Sequence, residues 1–315
     1  MSGLLNLIWL LLAISLLAWA LGNVVAIALG ALPPARSIRS ERRRLWLLAA
    51  LPGVFPLVSA LSLVALSLAK ALNWINDHCQ DHLQHHPHFC LEHLPDLALS
   101  LSQSSPVIVI ASGLLVLMAT RIGAQFRQHR RSALLQRLVP AASRLNHFQD
   151  SRPLAFAMGV RRPTIFLSSG MKQWLTKHQQ RLVVAHEAAH IRNHDVIKNI
   201  AFEVLLSLHL QRRGLRRRWR LSAEVLADQQ VARRFDALEL AEVLVSLERA
   251  KLSSPYAMAI TGGDTQTRIQ ELLVLEGAPA HPWLEWMIYP AVLALPALAA
   301  FHHHAVESLI GLWLA

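Results

Sequence analysis

The sequence predicts a mainly α membrane protein: about four transmembrane helices, with one α+β domain carried between the third and the fourth. Two observations lead there. Hydrophobic residues make up 53 % of the 315 residues and charged residues 16 %, and the apolar ones are bunched into long runs rather than spread. Arginine-rich stretches alternate with stretches that have none, as expected where charge sets the side of a bilayer.

The first run, Leu4 to Leu32, is long enough to cross a bilayer, and so is Leu45 to Ala69, where Pro52 and Pro56 are expected to kink the helix. The third, Pro106 to Thr120, is short unless residues from Leu97 join it. The fourth, Trp286 to Phe301, is also short and contains Pro290 and Pro296. A cleaved leader is disfavoured for the first run, which lacks a basic start and is longer than such leaders. Between the first two runs lie Arg36, Arg39, Arg42, Arg43 and Arg44, whereas Leu72 to Ser105 holds no Lys or Arg. Positive-inside logic therefore puts the first connection in the cytoplasm and the second outside. Arg121, Arg127, Arg130, Arg131 and Arg137 then return the chain to the cytoplasm.

The expected organisation is a membrane region over 1–120 with three spans and an outer loop at 72–105, a cytoplasmic domain over 121–282, and a fourth span with a short outer tail over 283–315. The outer loop holds the only two cysteines, Cys79 and Cys90, placed where a disulfide can form. Around them stand His78, His82, His85, His86, His88 and His93. This cluster reads either as a metal or proton sensor or as a plain polar loop. His302, His303 and His304 fall on the same side in this topology. The net charge of +11 suits anionic lipid; no recognition motif accompanies it, so direct nucleic-acid binding is not expected.

Within the central domain, Leu154 to Met158 and Thr164 to Ser168 have strand character and are joined by Gly159 to Pro163 in a tight connection. Gln180 to Ile191 has no Pro or Gly, and Thr176 with Gln179 has capping-box spacing. This helix carries His186-Glu187-Ala188-Ala189-His190. Histidines four apart share one helical face and can reach a single metal, while the glutamate beside them can handle protons without occupying a coordination position. A catalytic zinc needs a third ligand and an open position. Leu221 to Asp228 reads as a second helix in which Glu224 is the candidate ligand and Asp228 can accept a ring N–H from a liganding histidine. Taken by itself, this acidic face reads as solvated surface before it reads as a ligand; its context reverses that order. Lys198 to Leu210 is an apolar helix for the core or the membrane edge, and Leu238 to Leu252 is another helix.

Pro153 to Gly159, Arg162 to Ser168 and Gln180 to Asp195 resemble the membrane zinc peptidases typified by the beta-lactam-sensing transducers that cleave a transcriptional repressor. The resemblance implies a zincin-like metallopeptidase domain with Zn2+ held by His186, His190 and Glu224, and Glu187 as base. It also implies Asp195 and Asp228 as supporting carboxylates, and an extended substrate held along a strand that borders the cleft. Two features depart from the family. Gln211 to Arg220 is basic where the family is apolar and aromatic, reading as a solvated or headgroup-facing surface or as a substrate-docking patch. The large extracellular drug-sensing domain has no counterpart, so direct acylation by a drug is not expected.

The expected function is regulated proteolysis, in signalling, of a cytoplasmic repressor or a membrane protein, by an enzyme of the bacterial inner membrane whose site faces the cytoplasm. Its other partner is the lipid bilayer. Quality control of membrane proteins is the alternative. A non-catalytic metal-responsive receptor is a further one, which the intact Glu187 argues against. For oxyanion stabilisation His194, Arg233, Arg234 and Arg268 are candidates, with nothing to choose among them.

Overall fold

The structure is a computed structural model, which describes residues 2–35, 37–72, 74, 101–137, 144–252 and 262–273 and the single positions 290, 294 and 297. Cys79, Cys90, the outer histidines, His302 to His304 and most of the expected fourth span lie outside the described residues.

Three long helices come first: α1 (Ser2–Ala31), α2 (Ile38–Ala71) and α3 (Leu101–Arg137). Each contains a segment of 28 to 32 residues long and apolar enough to cross a membrane. No charged residue interrupts α1, so nothing opposes its burial in lipid. It crosses α2 closely at Gly22, where an added Cβ would come within 2.8 Å of the Leu51 carbonyl oxygen. Only 6 % of the apolar window of α3 is buried, which makes it the outermost of the three.

Two sequence expectations change. Arg39, Arg42, Arg43 and Arg44 are not a connecting loop but the first turns of α2. Arg44 reaches back to the carbonyls of Leu29, Leu32 and Pro33 and so satisfies acceptors that the end of α1 leaves open. The third run is not short: α3 extends through Arg121 to Arg137, because Arg and Gln are good helix formers and nothing in that stretch breaks the helix.

After α3 come β1 (Leu145–Phe148), β2 (Ala155–Met158) and β3 (Thr164–Ser168), in the order β1-β3-β2, with β1 parallel and β2 antiparallel to the central β3. The Phe156 and Phe166 rings stack at 5.3 Å on one face. The other face turns Leu167 toward α5 (Lys177–Arg192) after the short α4 (Ser169–Trp174). There Leu167, Met171, Leu182, Val183, Val231 and Val243 form one buried cluster, shared with α7 (Arg212–Ala232) and α8 (Ala237–Leu252). Gly170 is required at the start of α4, since a Cβ there would lie 2.1 Å from the Ser151 carbonyl oxygen.

A second core joins the two parts of the molecule. Ala18, Ala26, Leu45, Leu48, Leu51 and Phe55 of α1 and α2 are buried against Phe202 of α6 (Asp195–Leu205), Leu206, and Leu215 and Trp219 of α7. The apolar stretch expected over Lys198 to Leu210 is therefore α6 followed by a 3-10 turn at Leu206–Leu208, and its apolar face packs on the membrane helices. The last described helix, α9 (Gly262–Leu273), packs on α7 and α8.

Candidate metal centre

Thr176 and Gln179 form a full capping box at the start of α5, and the uninterrupted helix places His186 and His190 one turn apart. Their Nε2 atoms are 3.1 Å from each other. From α7, Glu224 brings one carboxylate oxygen to 3.3 Å from His186 Nε2 and the other to 3.6 Å from His190 Nε2. Tetrahedral coordination at zinc–nitrogen lengths separates donor atoms by roughly 3.3 Å, which is the spacing of this trio.

The other ring nitrogen of each histidine faces a carboxylate. At the end of α5, His194 adopts a left-handed conformation with φ 54°, at a cost of about 1–2 kcal/mol. That turn reverses the chain so that Asp195, in the first turn of α6, accepts a hydrogen bond from His190 Nδ1 at 2.8 Å. Asp228, one turn beyond Glu224 and fully buried, places Oδ1 2.9 Å from His186 Nδ1, a close charge contact too bent for a regular hydrogen bond. With both Nδ1 protons turned toward carboxylates, both Nε2 lone pairs face Glu224. Three acceptors without a proton between them repel one another unless a cation lies among them.

Each supporting carboxylate is in turn held by an arginine, and neither arginine was read as such from the sequence. Arg42 of α2 donates to Asp195 Oδ1 at 2.8 Å, both side chains buried, and lies 4.1 Å over the Trp219 ring. Arg268 of α9 grips Asp228 with two hydrogen bonds of 2.7 and 2.8 Å and lies 3.2 Å from Glu224. Fixed there, Arg268 is a carboxylate clamp rather than a donor kept open for a reacting oxygen. Of the other oxyanion candidates, His194, Arg233 and Arg234 are exposed at helix ends.

Four carboxylates, those of Glu187, Asp195, Glu224 and Asp228, face two guanidiniums. With neutral imidazoles this leaves two negative charges, the complement of a divalent cation. The same deficit shows in the titration of the metal-free site. Burial disfavours a charged His186, but Asp228 and Glu224 outweigh it and pull its pKa up to about 10. Burial also opposes ionisation of Glu224, yet His186 and Arg268 hold its carboxyl down to about 2. Asp228 is likewise lowered against burial, by Arg268 and His186. Glu187 goes the other way: burial pushes it up, and the nearby histidines and the Ala157 backbone N–H only partly offset this. A carboxyl raised by burial at the rim of a metal site is suited to carrying a proton.

The structure thus brings together His186, Glu187, His190, Asp195, Glu224 and Asp228. Among the described residues, His186, His190 and Glu224 are the group whose donor atoms converge closely enough to hold a metal. The family model described as BlaR1 peptidase M56 matches residues 44–236, more than half of the chain, and the chain belongs to this family of membrane metallopeptidases. No curated protein matches it. The match covers both site helices and Asp195 but ends before α9 and Arg268.

Proposed function

We propose that this BlaR1-type peptidase is a zinc endopeptidase in which His186, His190 and Glu224 hold the metal and Glu187 is the general base. The observation that carries the reading is the convergence of the three donor atoms at 3.1 to 3.6 Å, with the Nδ1 side of each histidine backed by a carboxylate. Zinc, when bound there, supplies an acidified water and polarises a peptide carbonyl.

The protein's own groups do the rest. Glu187 takes a proton from the water and later delivers it to the leaving amine, a cycle that needs a carboxyl titrating above its ordinary range. Asp195 and Asp228 orient the rings, and Arg42 and Arg268 keep those carboxylates ionised and in place. The strand β2 pairs with β3 along one edge, packs on α5 and donates Ala157 N–H toward Glu187. Its other edge supports binding of an extended peptide by main-chain hydrogen bonds, with the scissile bond beside Glu187.

In this reading four spans anchor the protein in a bacterial inner membrane, and the 121–282 domain faces the cytoplasm. There it carries out regulated proteolysis, in signalling, of a repressor or a membrane protein. Zinc analysis of purified wild type and Glu187→Gln, beside comparison of protein fragments in cells carrying each, tests it. Both proteins should hold about one zinc, and fragments dependent on Glu187 should vanish in the variant. Undiminished cleavage by Glu187→Gln, or wild type purified without zinc, would sink the assignment. A single Glu187-dependent fragment fits dedicated signalling, whereas a broad set of membrane-protein fragments fits quality control instead.

A further inference from the structure

The basic run Gln211 to Arg220 is not a loop between the site helices: from Arg212 onward it forms the first turns of α7 itself, and its contacts fix how deep it sits. Leu208 accepts a hydrogen bond from Trp19 Nε1 at 2.9 Å, and Leu210 N–H donates to Asn23 Oδ1 at 3.0 Å. Further on, Arg218 donates to the Gly30 carbonyl at 3.1 Å and to Glu41 at 2.6 Å. As α7 advances from its start to Arg218, its contacts on α1 advance from Asn23 to Gly30, so α7, which packs on α2, rises in the same sense as α1. Leu210 is therefore level with a point about 12 Å short of the end of α1. The apolar span of α1 has 28 residues, about 42 Å, against a hydrocarbon layer of about 30 Å. Centred in the layer, the span overruns it by about 6 Å at each end, so the start of α7 lies within about one helical turn of the level where acyl chains give way to headgroups.

A cavity of about 870 Å³ opens at this level, lined by His209 and by Arg121, Arg212, Arg213, Arg216 and Arg218. Among the described residues, no carboxylate lines it. Buried Glu203 holds Arg212 and Arg216, and Glu41 holds Arg218. Among the described residues Arg121 donates to the Ser207 carbonyl, at 2.5 Å, within the positive field of Arg212 and Arg216. Arg213 is exposed and has no ion pair among the described residues. Five guanidiniums against two carboxylates leave three positive charges, at the positive end of a 21-residue helix. The buried Nε of Arg212 also has no acceptor among the described residues. Leu210, 65 % exposed, forms an apolar wall beside these charges.

We propose that this cavity binds the phosphodiester headgroup of an anionic phospholipid, in the leaflet where α1 ends and α2 begins. The charge calls for phosphate, and the depth and the leucine wall call for one that carries acyl chains. The inference needs α1 to lie across a bilayer and does not depend on the metal site being catalytic.

The test uses the full chain purified in neutral detergent and titrated with phosphatidylglycerol, phosphatidylcholine or inorganic phosphate, read by native mass spectrometry and by thermal midpoint. Phosphatidylglycerol should bind and raise the midpoint, and phosphatidylcholine should do neither. Arg121→Gln with Arg213→Gln removes two charges that pair with no carboxylate among the described residues, and should weaken phosphatidylglycerol by about 30-fold. Arg213→Gln alone, at an exposed position, should weaken it in part, so the test survives if the double variant folds poorly. Arg161→Gln with Arg181→Gln, exposed arginines elsewhere, should leave binding unchanged. Equal binding of phosphatidylcholine, or equal weakening by the Arg161 and Arg181 pair, overturns the site. Inorganic phosphate binding as tightly as phosphatidylglycerol overturns the lipid as its ligand.

Discussion

The two histidines of the metal centre are supported by matching chains of side chains that end in different parts of the molecule. His190 leans on Asp195, which leans on Arg42 of α2, a helix long and apolar enough to cross a membrane. His186 leans on Asp228, which leans on Arg268 of α9 at the opposite end of the sequence. The first chain ends in a single hydrogen bond and a ring contact, and its carboxylate also sits in the first turn of α6, where the helix dipole favours it. The second ends in a two-bonded clamp that also touches Glu224. One half of the centre is thus fastened to the membrane region and the other half is closed by the domain itself, and the second half has more charge to lose.

The largest effect should come from Arg268→Met. It strips the counter-charge from buried Asp228 and from Glu224, and should lower the unfolding free energy of chelator-treated protein by about 3–5 kcal/mol. Zinc-loaded protein should lose less, because the metal restores positive charge. Denaturation with and without chelator makes the measurement, and an equal loss in the two states would rule out charge compensation as the reason for the clamp. Arg42→Met should cost less, about 1–3 kcal/mol, since Asp195 keeps His190 and the helix end. A loss as large as that of Arg268→Met would break the comparison.

A smaller effect sharpens it. In the metal-free site the pKa of His186 is raised to about 10, so at pH 7 to 8 it carries a proton that a metal must displace. Glu224, held to about 2, carries none. Zinc uptake should release about one proton, and apparent affinity should fall about tenfold for each pH unit lowered below His186's raised value. Calorimetry in buffers of different ionisation enthalpy counts that proton. No release at pH 7 would mean that His186 is neutral before metal arrives, and that Asp228 does not hold it charged.

Much of this centre was legible in the sequence for geometric reasons. His186, Glu187 and His190 are spaced for one helical face, and a capping box marks where that helix starts; Glu224 and Asp228 repeat the spacing on α7. The arginines were not legible, because an arginine on a helix gives the same signal whether it faces water, lipid or a carboxylate. Arg42 read as a topology-setting charge, and Arg268 as one of several loose cations. Only tertiary packing brings α2 and α9 to the site. The strand β1 gave no signal either: Leu145 to Phe148 is four residues, half-exposed, and its partner β3 lies some twenty residues away. The hairpin of β2 and β3 was visible because its turn and both strands are contiguous.

The position of Arg268 also sets an order of events during synthesis. A ribosome adding about 5–20 residues per second delivers both histidines, Glu224 and Asp228 some seconds before α9 is available. Over that interval the nascent protein has α1 to α3 and the three converging donor groups, but Asp228 lacks its counter-charge. The clamp is made after the groups it steadies, so a nascent chain acquires a finished centre only once α9 has emerged and docked on α7.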